Sequence, residues 1–487
     1  MGKRSFRRVM ALMLVMLMTA GTFMLTGCGK SYEYIFGDVE WLSTYKEKSS
    51  DTDTKTIKDT FYYSNDWFSD NPSSENKELA LASMQLIASC VNDDADGTGA
   101  AFLRNMGFEE VGFSDFASDD PGDCNYTWAR RSVGDSTLVA VVMQSVNRDW
   151  KLRNKAWKQN FTVNEPGNPD PSGEHYAYAE AADKIVDDVT ALAGEGPATF
   201  WIMGQSRGGA IANVLAVRLQ EKLDKAKIFA YTFESPATVD ANDAGSYKNI
   251  HNYICSDDIV THIPMWGMTR YGVMHDLKTK ETDGKLAETL EALGSDAAGM
   301  KARIVTDDVV ARLSENLGTM VSSRAEYSTE RTDSWTDSEG KSHELTYSCQ
   351  DAFVKLMDLV FNENSSGSLF ERLASKKGDL EGSIGHLVEG VKAGAAGKDP
   401  SAEYWEAATA MYAVLNDTDG GLPISEEDLY EVLRFAAPAL ITVPEDGGEP
   451  DAELLTDVIG YNRELIYSHQ FDTIIARLKI LAPAPKK

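Results

Sequence analysis

Apolar runs and segments with helical spacing alternate through the middle of the chain. Four runs have the continuous apolar character of buried strands, and two segments between them repeat apolar residues at the interval of a helix face. The strand-like runs cover residues 137–145, 198–204, 227–236 and 247–255, and the helical segments cover 174–193 and 208–223. Because strands that alternate with helices build parallel sheets, the pattern predicts an α/β fold with a mostly parallel sheet covered by helices.

The pattern changes on both sides of this alternation, which divides most of the chain into four parts. Residues 28–75 are polar and acidic, as is typical of a tether and lead-in, whereas 76–276 hold the predicted core. Residues 277–460 are acidic and mainly helix-like, and they include polar loops such as 328–344. We interpret them as a helical insertion or lid-like region. Residues 461–487 return to an apolar strand-to-helix pattern and are expected to complete the core.

The first 27 residues have the composition of a secretory signal peptide. Basic residues precede an apolar stretch from Val9 to Leu25, and small residues then lead to Cys28. The ending Leu-Thr-Gly-Cys resembles a bacterial lipobox, in which the cysteine becomes the lipidated first residue of the mature protein. A single transmembrane anchor is the alternative. Both interpretations predict an exported protein held at the extracellular face of the cell membrane, and the first predicts a lipid anchor on Cys28.

The charge of the chain limits its partners. It contains 76 Asp and Glu residues against 47 Lys and Arg residues, which gives a formal net charge of −29. Removal of the basic leader makes the mature chain more negative still. Phosphate backbones are bound by basic patches, so this excess of acid argues against nucleic acid as a partner. It fits a self-repelling protein surface in contact with solvent.

The sequence contains no motif for a metal or a cofactor. The four cysteines that remain behind the leader are too few to build a disulfide framework, and no Cys-x-x-Cys or His-x-x-x-His spacing suggests zinc. These cysteines are Cys90, Cys124, Cys255 and Cys349. Two acidic turns, 92–97 and 416–421, resemble calcium loops, but each lacks a ligand at a required position. We therefore expect neither a metal nor a cofactor.

A nucleophile motif follows the second strand-like run. The segment Gly-Gln-Ser-Arg-Gly, residues 204–208, comes directly after the run, and a helical segment begins at once behind it. A strand, a tight turn and a helix in this order form a nucleophile elbow, which would present the hydroxyl of Ser206 at the end of the sheet. A structural glycine turn is the alternative. Serine becomes a nucleophile when a histidine, held by a carboxylate, takes its proton.

The acid and then the histidine are expected after the serine along the chain. Asp257 and Asp258 follow the fourth strand-like run, where an acid would orient a histidine. His469 follows the last apolar segment and opens a helix, which makes it the favoured base. His386, on a predicted helix, is the alternative. The other histidines precede the serine, lie within a strand or follow the acid too closely, except His343, which lies in a polar, mobile-looking loop.

These segments resemble the class 3 lipase family of α/β-hydrolases, and more closely the lipase-like exported lipoproteins of Gram-positive bacteria. The resemblance covers roughly residues 60–276 and 462–482. The motifs that carry it are "FWIMGQSRGGAIANVLA" around Ser206, "AYTFESPAT", "NYICSDDIVTHIP" around the acid and "SHQFDTIIARL" at the histidine. The acid segment implies Asp258 as the catalytic acid. We expect Asp257 to be a solvated neighbour.

The resemblance also implies an oxyanion hole. Ser145 matches the family's oxyanion serine or threonine, although Met143 and Gln144 replace the arginine and glycine that usually precede it. The second donor is expected to be the backbone N–H of Arg207, the residue after the nucleophile. Gln205 and Arg207 stand where the family frequently has histidine and leucine.

The motifs and the resemblance together predict a serine ester hydrolase that acts on acyl lipids or smaller esters without a cofactor. Two alternatives remain open. One is a binding lipoprotein that kept the fold and lost the activity, an interpretation favoured only by the altered oxyanion segment. The other is a thioesterase or peptidase that uses the same fold and triad on a different bond.

Overall fold

The computed structural model describes most of the chain between residues 32 and 485. The described residues are 32–43, 55–91, 97–114, 124–145, 158–165, 173–240, 242, 244–264, 267–299, 307–321, 323–360, 372–373, 375–376, 378–416, 422–444, 448, 450–460 and 467–485. The predicted signal peptide and Cys28 lie outside these residues, as does most of each calcium-like turn.

The described residues form 11 strands and 13 α-helices. The strands are β1 (Ile35–Leu42), β2 (Thr56–Tyr63), β3 (Glu110–Phe113), β4 (Tyr126–Val133), β5 (Ser136–Met143), β6 (Ala198–Gln205), β7 (Lys227–Phe233), β8 (Ile250–Ile254), β9 (Val273–Asp276), β10 (Arg331–Thr336) and β11 (Ser342–Tyr347). The helices are α1 (Lys77–Cys90), α2 (Thr98–Asn105), α3 (Tyr176–Ala191), α4 (Ser206–Lys222), α5 (Lys280–Leu293), α6 (Asp307–Met320), α7 (Arg324–Ser328), α8 (Cys349–Val360), α9 (Glu381–Ala395), α10 (Ser401–Asn416), α11 (Glu426–Leu440), α12 (Glu453–Gly460) and α13 (Phe471–Leu481).

The largest sheet in the described part of the chain has seven strands in the order β3-β4-β5-β6-β7-β8-β9. Strands β5 to β9 run parallel, whereas β3 and β4 join one edge antiparallel. The predicted mostly parallel sheet is therefore confirmed. Because the carboxyl ends of parallel strands meet at one edge, the loops after β5, β6, β7 and β8 lie side by side. The residues predicted to act in catalysis before position 277 all belong to these loops or to the helix that follows β6.

Helices cover both faces of this sheet. In β6, Trp201 and Met203 face a core shared with α1 and α13, whereas Phe200 and Ile202 face a core shared with α3 and α4. The strand thus buries both of its faces, which explains why its sequence is continuously apolar rather than alternating. The helix α13 belongs to the predicted C-terminal part of the core, and it packs with α1 on the first face.

An antiparallel hairpin of β1 and β2 precedes the sheet and packs on the core. Its residues Trp41 and Tyr63 are buried, as is Trp67 in the turn that follows. The sequence predicts no strand in this lead-in, because only alternate residues of β1, such as Val39 and Trp41, are buried and the residues between them are polar. A half-buried strand of this kind does not form an apolar run.

The described part of residues 277–460 is mainly helical, as predicted, and most of its buried side chains form a third apolar core. The polar segment 328–344 was expected to be a loop, and this prediction is wrong. It forms most of the hairpin of β10 and β11, in which Trp335 and Tyr347 are buried against the third core and the alternate residues are polar. None of the helices in the described part of the chain is long and apolar enough to cross a membrane.

Candidate active site

Ser206 is the first residue of α4 and directly follows β6, and its backbone is strained. Its φ of 57° lies in the left-handed region, which residues other than glycine seldom adopt. The neighbouring glycines allow a close crossing of the chain. A Cβ on Gly204 would lie 2.3 Å from Gly208 O, and a Cβ on Gly208 would lie 2.7 Å from Met143 O. This strained strand-to-helix turn has the geometry of a nucleophile elbow.

Ser145 lies directly against this turn. Its hydroxyl donates to the carbonyl oxygen of Gln205 and accepts a hydrogen bond from Gly208 N at 3.4 Å. Gln144, which stands where the family has glycine, is buried, and its side-chain amide donates to Cys90 O at 2.9 Å. The predicted oxyanion segment is therefore tied to α1 on one side and to the elbow on the other.

Arg207 is the second residue of α4, so its backbone N–H belongs to the first turn of the helix. The N–H groups of a first helical turn have no partner within the helix, and the helix dipole makes this end positive. The turn therefore favours a developing negative charge beside Ser206. The side chain of Arg207 is 2% exposed.

Asp258 and His469 meet although 211 positions separate them in the chain. His469 Nδ1 lies 2.6 Å from Asp258 Oδ2, and the carboxylate is fully buried. The other oxygen, Oδ1, accepts a hydrogen bond from Val260 N at 3.0 Å. With Nδ1 engaged by the carboxylate, Nε2 is the nitrogen of His469 that can accept a proton.

Gln205 connects the histidine to the elbow. Its side-chain amide donates to the carbonyl oxygen of His469 at 3.1 Å. Because Gln205 directly precedes Ser206, this bond holds the His469 backbone at the end of β6. The structure thus brings together the elbow, the predicted oxyanion segment and the Asp258–His469 pair, whose catalytic roles remain predictions. In the sequence, Gln205 is visible only as a departure from the family, and no contact of its side chain could be predicted.

Asp257 was expected to be a solvated neighbour of the catalytic acid, and this expectation is wrong. The residue is 8% exposed. Its Oδ2 lies 2.9 Å from Lys278 Nζ, and that lysine side chain is itself only 9% exposed. The two consecutive carboxylates therefore differ in their partners, because Asp258 faces a histidine and Asp257 faces a buried ammonium group.

The alternative base, His386, lies on α9 as predicted, and its side chain is exposed. Its Nδ1 lies 2.8 Å from Glu403 Oε2, and both side chains are more than 40% exposed. His343 was expected in a mobile-looking loop, whereas it belongs to β11, contacts Asp337 at 2.7 Å and stacks on Trp335. Neither histidine contacts an aspartate that follows β8.

Two further ionisable residues lie at the site, and the sequence alone pointed to neither. Arg270 is buried and donates to the carbonyl oxygens of Ser235 at 2.8 Å and of Thr261, so it joins the loop after β7 to the loop after β8. Burial lowers the pKa of Arg270 to about 10, so the guanidinium remains charged at neutral pH. The second residue is Glu234, which directly follows β7 and is fully buried.

Among the described residues, no group of three or more histidine, cysteine, aspartate or glutamate side chains is arranged to hold a metal ion. The four cysteines behind the leader are buried.

Comparison with known proteins identifies a family that this chain resembles. The family model for lipase (class 3) matches residues 151–268, a segment that includes both Ser206 and Asp258. The match supports the predicted resemblance to class 3 lipases, and with the observed sheet it confirms the predicted α/β-hydrolase fold. No curated protein sequence matches the chain.

Solved structures of fungal lipases are also similar in part. A triacylglyceride lipase of Rhizomucor miehei is 17% identical, with 41% of this chain and 78% of that chain covered and a TM-score of 0.31. A lipase of Rhizopus microsporus var. chinensis is 16% identical, with 42% and 77% covered and a TM-score of 0.30.

Proposed function

We propose that this chain is a serine ester hydrolase of the lipase or esterase type, with Ser206 as nucleophile, His469 as base and Asp258 as acid. The observation that carries the proposal is the 2.6 Å contact of His469 Nδ1 with Asp258 Oδ2, held at the strained turn of Ser206 by Gln205. The chain order of serine, aspartate and histidine is that of an α/β-hydrolase triad.

Each residue of the triad has a defined task in this mechanism. Ser206 Oγ attacks the ester carbonyl while His469 Nε2 takes its proton. Asp258 keeps the proton of the imidazole on Nδ1 and stabilises the imidazolium that forms. The proton then passes to the leaving alcohol, and an acyl group remains on Ser206. Water, activated by the same imidazole, releases the acyl group as a carboxylic acid.

The negative oxygen of each tetrahedral intermediate needs preorganised donors. The backbone N–H of Arg207 at the start of α4 provides one, and the backbone after β5 at Ser145 provides the other. The hydroxyl of Ser145 already bonds to the elbow, which supports a task in fixing this segment. Gln144 supports the same rigidity through its bond to Cys90 O.

The substrate is proposed to be an acyl lipid or a smaller carboxylic ester. The similarity of residues 151–268 to class 3 lipases supports this choice. A panel of p-nitrophenyl esters of increasing acyl length would separate an esterase, with its optimum at short chains, from a lipase. A thioester and a peptide substrate in the same panel test the two other bonds that a triad of this kind can cleave.

We also propose that the protein is exported and anchored to the membrane by lipid on Cys28, which lies outside the described residues. The order of basic, apolar and Leu-Thr-Gly-Cys segments supports this location. Cys28→Ala should leave the protein unprocessed or release it from the membrane fraction. Intact-mass analysis of the membrane-bound protein is the measurement, and an unlipidated protein that starts at another residue would contradict the proposal.

Labelling by a fluorophosphonate tests the nucleophile. The parent protein should be labelled and should hydrolyse p-nitrophenyl butyrate, whereas Ser206→Ala should lose both properties with an unchanged circular dichroism spectrum. Ser73→Ala, at an exposed serine before α1, is the matched control and should behave as the parent. A parent that is folded but not labelled would favour a binding protein without activity, and persistent labelling of Ser206→Ala would place the nucleophile elsewhere.

A further inference from the structure

Glu234 occupies the strand end between the proposed nucleophile and the proposed acid. It follows β7, which lies between β6, the strand before Ser206, and β8, the strand before Asp258. Its φ is 43°, and Glu234 and Ser206 are the two non-glycine residues with a positive φ in the described part of the chain. Strained residues persist where the surrounding structure holds them, and they cluster at functional sites.

The carboxyl group of Glu234 is completely buried and only half of it is engaged. Its Oε2 accepts a hydrogen bond from Cys255 N at 2.9 Å. Its Oε1 is buried and has no hydrogen-bonding partner among the described residues. The neighbouring carboxyl group is that of Asp258, which bonds to His469 with Oδ2 and accepts the Val260 N–H with Oδ1. A proton on Glu234 Oε1 would give this atom a partner in Asp258.

The charges around Glu234 and Asp258 favour a proton on the Glu234 carboxyl group. Three ionisable groups face the Glu234 carboxyl: Asp258 and Cys255 from the loop after β8, and Arg270 from the loop before β9. His469 lies beyond Asp258. One guanidinium cannot balance two buried carboxylates, and an uncompensated buried charge is strongly unfavourable. Burial raises the pKa of Glu234 well above its ordinary value, and the charge of Asp258 raises it further. Burial also raises the pKa of the Cys255 thiol, which stays neutral.

We propose that Glu234 is a positioning residue for the triad: its protonated carboxyl group donates a hydrogen bond from Oε1 to Asp258 and holds that carboxylate in line with His469 Nδ1. The inference rests on the proposed function, because it concerns the acid of that triad. Glu234 contacts neither the nucleophile nor a reacting atom, so it acts through Asp258 alone. The shared carboxylate is then fixed on three sides, by Glu234, by Val260 N and by the imidazole.

Two substitutions of nearly equal length test the role of the proton. Glu234→Gln keeps a donor for Asp258 and an acceptor for Cys255 N, so it imitates the protonated acid. Glu234→Met fills a similar volume with neither group, and both variants keep the same backbone strain. A hydrogen bond to a charged group corresponds to about 10- to 100-fold in rate. Glu234→Met should lose that much in kcat with KM nearly unchanged, whereas Glu234→Gln should remain within about threefold of the parent.

Three results of this assay would contradict the positioning role of Glu234. If Glu234 were ionised, Glu234→Gln would remove a negative charge beside His469, which would lower kcat and move the acidic limb of the kcat/KM profile to lower pH. Equal losses of kcat in both variants, or no loss in Glu234→Met, would likewise overturn the positioning role. An unchanged acidic limb with activity retained in Glu234→Gln alone supports it.

Two readouts without turnover keep the inference separable from the proposed function. Infrared difference spectra at neutral pH should show the carbonyl stretch of a protonated carboxylic acid in the parent protein, and Glu234→Gln should lack it. The low-field proton signal of His469 Nδ1–H, assigned by its loss in His469→Ala, should persist in Glu234→Gln and shift or broaden in Glu234→Met. If the protein were neither labelled nor active, these spectra would still decide the matter, and absence of the infrared band in the parent would overturn the inference.

Discussion

Asp257 and Asp258 are consecutive buried carboxylates with different partners, so replacing each by asparagine separates catalysis from stability. Asp258 Oδ2 lies 2.6 Å from His469 Nδ1, whereas Asp257 Oδ2 lies 2.9 Å from Lys278 Nζ. The chemical change is the same in both variants and the positions are adjacent. Each variant is therefore the matched control for the other.

Asp258→Asn is expected to lower kcat/KM by about 10³- to 10⁴-fold. An amide cannot stabilise the imidazolium of His469 by charge, and its N–H favours the tautomer that carries its proton on Nε2. At about 1.4 kcal/mol per factor of ten, the loss corresponds to about 4–5.5 kcal/mol of transition-state stabilisation. The amide oxygen can still accept the Val260 N–H, so the free energy of unfolding should change by less than about 1 kcal/mol.

Asp257→Asn is expected to act on stability instead. The ammonium group of Lys278, on a side chain that is 9% exposed, would face a neutral amide. Removing one partner of a buried ion pair costs about 3–5 kcal/mol, and the retained amide dipole reduces the loss to about 2 kcal/mol. The rate of the folded fraction should stay within about threefold of the parent, because Asp257 does not contact the imidazole.

Ester hydrolysis gives the rates of the two variants, and urea unfolding followed by circular dichroism gives their stabilities. The rates are compared at a urea-free condition in which both variants are folded. If Asp257→Asn lost as much kcat/KM as Asp258→Asn, the assignment of the acid would be wrong. If Asp258→Asn retained the parent rate, the 2.6 Å contact with His469 would have no catalytic task.

Three further changes test the base, the elbow and the buried acid. His469→Ala should abolish ester turnover with the fold intact. His386→Ala should leave turnover unchanged, because that histidine bonds to a glutamate on an exposed face. The reverse result would identify His386 as the base. Gly208→Ala should lower stability by about 1–3 kcal/mol in thermal unfolding, because its Cβ would lie 2.7 Å from Met143 O, and an unchanged Tm would contradict this. The fold raises the pKa of Glu234, so folding takes up a proton. The contribution of Glu234 to stability is complete below about pH 4 and falls by about 1.4 kcal/mol per pH unit up to the raised pKa. Urea titrations of Glu234→Gln should lack this fall, and equal pH slopes would contradict the protonation.

The centre of the fold could be predicted because its strands bury both faces. The apolar runs 137–145 and 198–204 became β5 (Ser136–Met143) and β6 (Ala198–Gln205) with errors of two residues or fewer. The elbow between β6 and α4 is equally local, since its glycines and its serine lie within five consecutive positions. Local patterns of this kind need no knowledge of the neighbouring segments.

The two hairpins outside the main sheet could not be predicted from local apolar patterns. In β10 and β11, buried Trp335 and Tyr347 alternate with charged and hydroxyl side chains, so the local pattern resembles that of a polar loop. Only the third core beneath the hairpin explains why it is ordered as strands. That core consists of residues distant in sequence, and a local pattern does not reveal them.

Most contacts between buried polar side chains could not be predicted from the sequence either. The order of the chain and the family resemblance pointed to Asp258 and His469, whose contact the structure contains. No spacing in the sequence pairs Asp257 with Lys278, and none places the carboxyl of Glu234 beside Asp258. Such contacts depend on which strand ends become neighbours, and this follows from the sheet order rather than from any single segment.

The position of His469 depends on contacts that surround the helix behind it. Three residues after the histidine, the fully buried carboxylate of Asp472 accepts hydrogen bonds from Trp41 Nε1 at 2.9 Å, Ser43 Oγ at 2.6 Å and Ser295 Oγ at 2.5 Å. Bonds to a charged group contribute about 1.5–3 kcal/mol each, whereas the entropy of closing a chain segment grows only with the logarithm of its length. The N-terminal hairpin and the segment after α5 thus hold α13 in place directly. A long insertion between Asp258 and His469 is therefore compatible with a fixed distance between the two residues, since the contacts that set this distance lie outside most of the inserted helices.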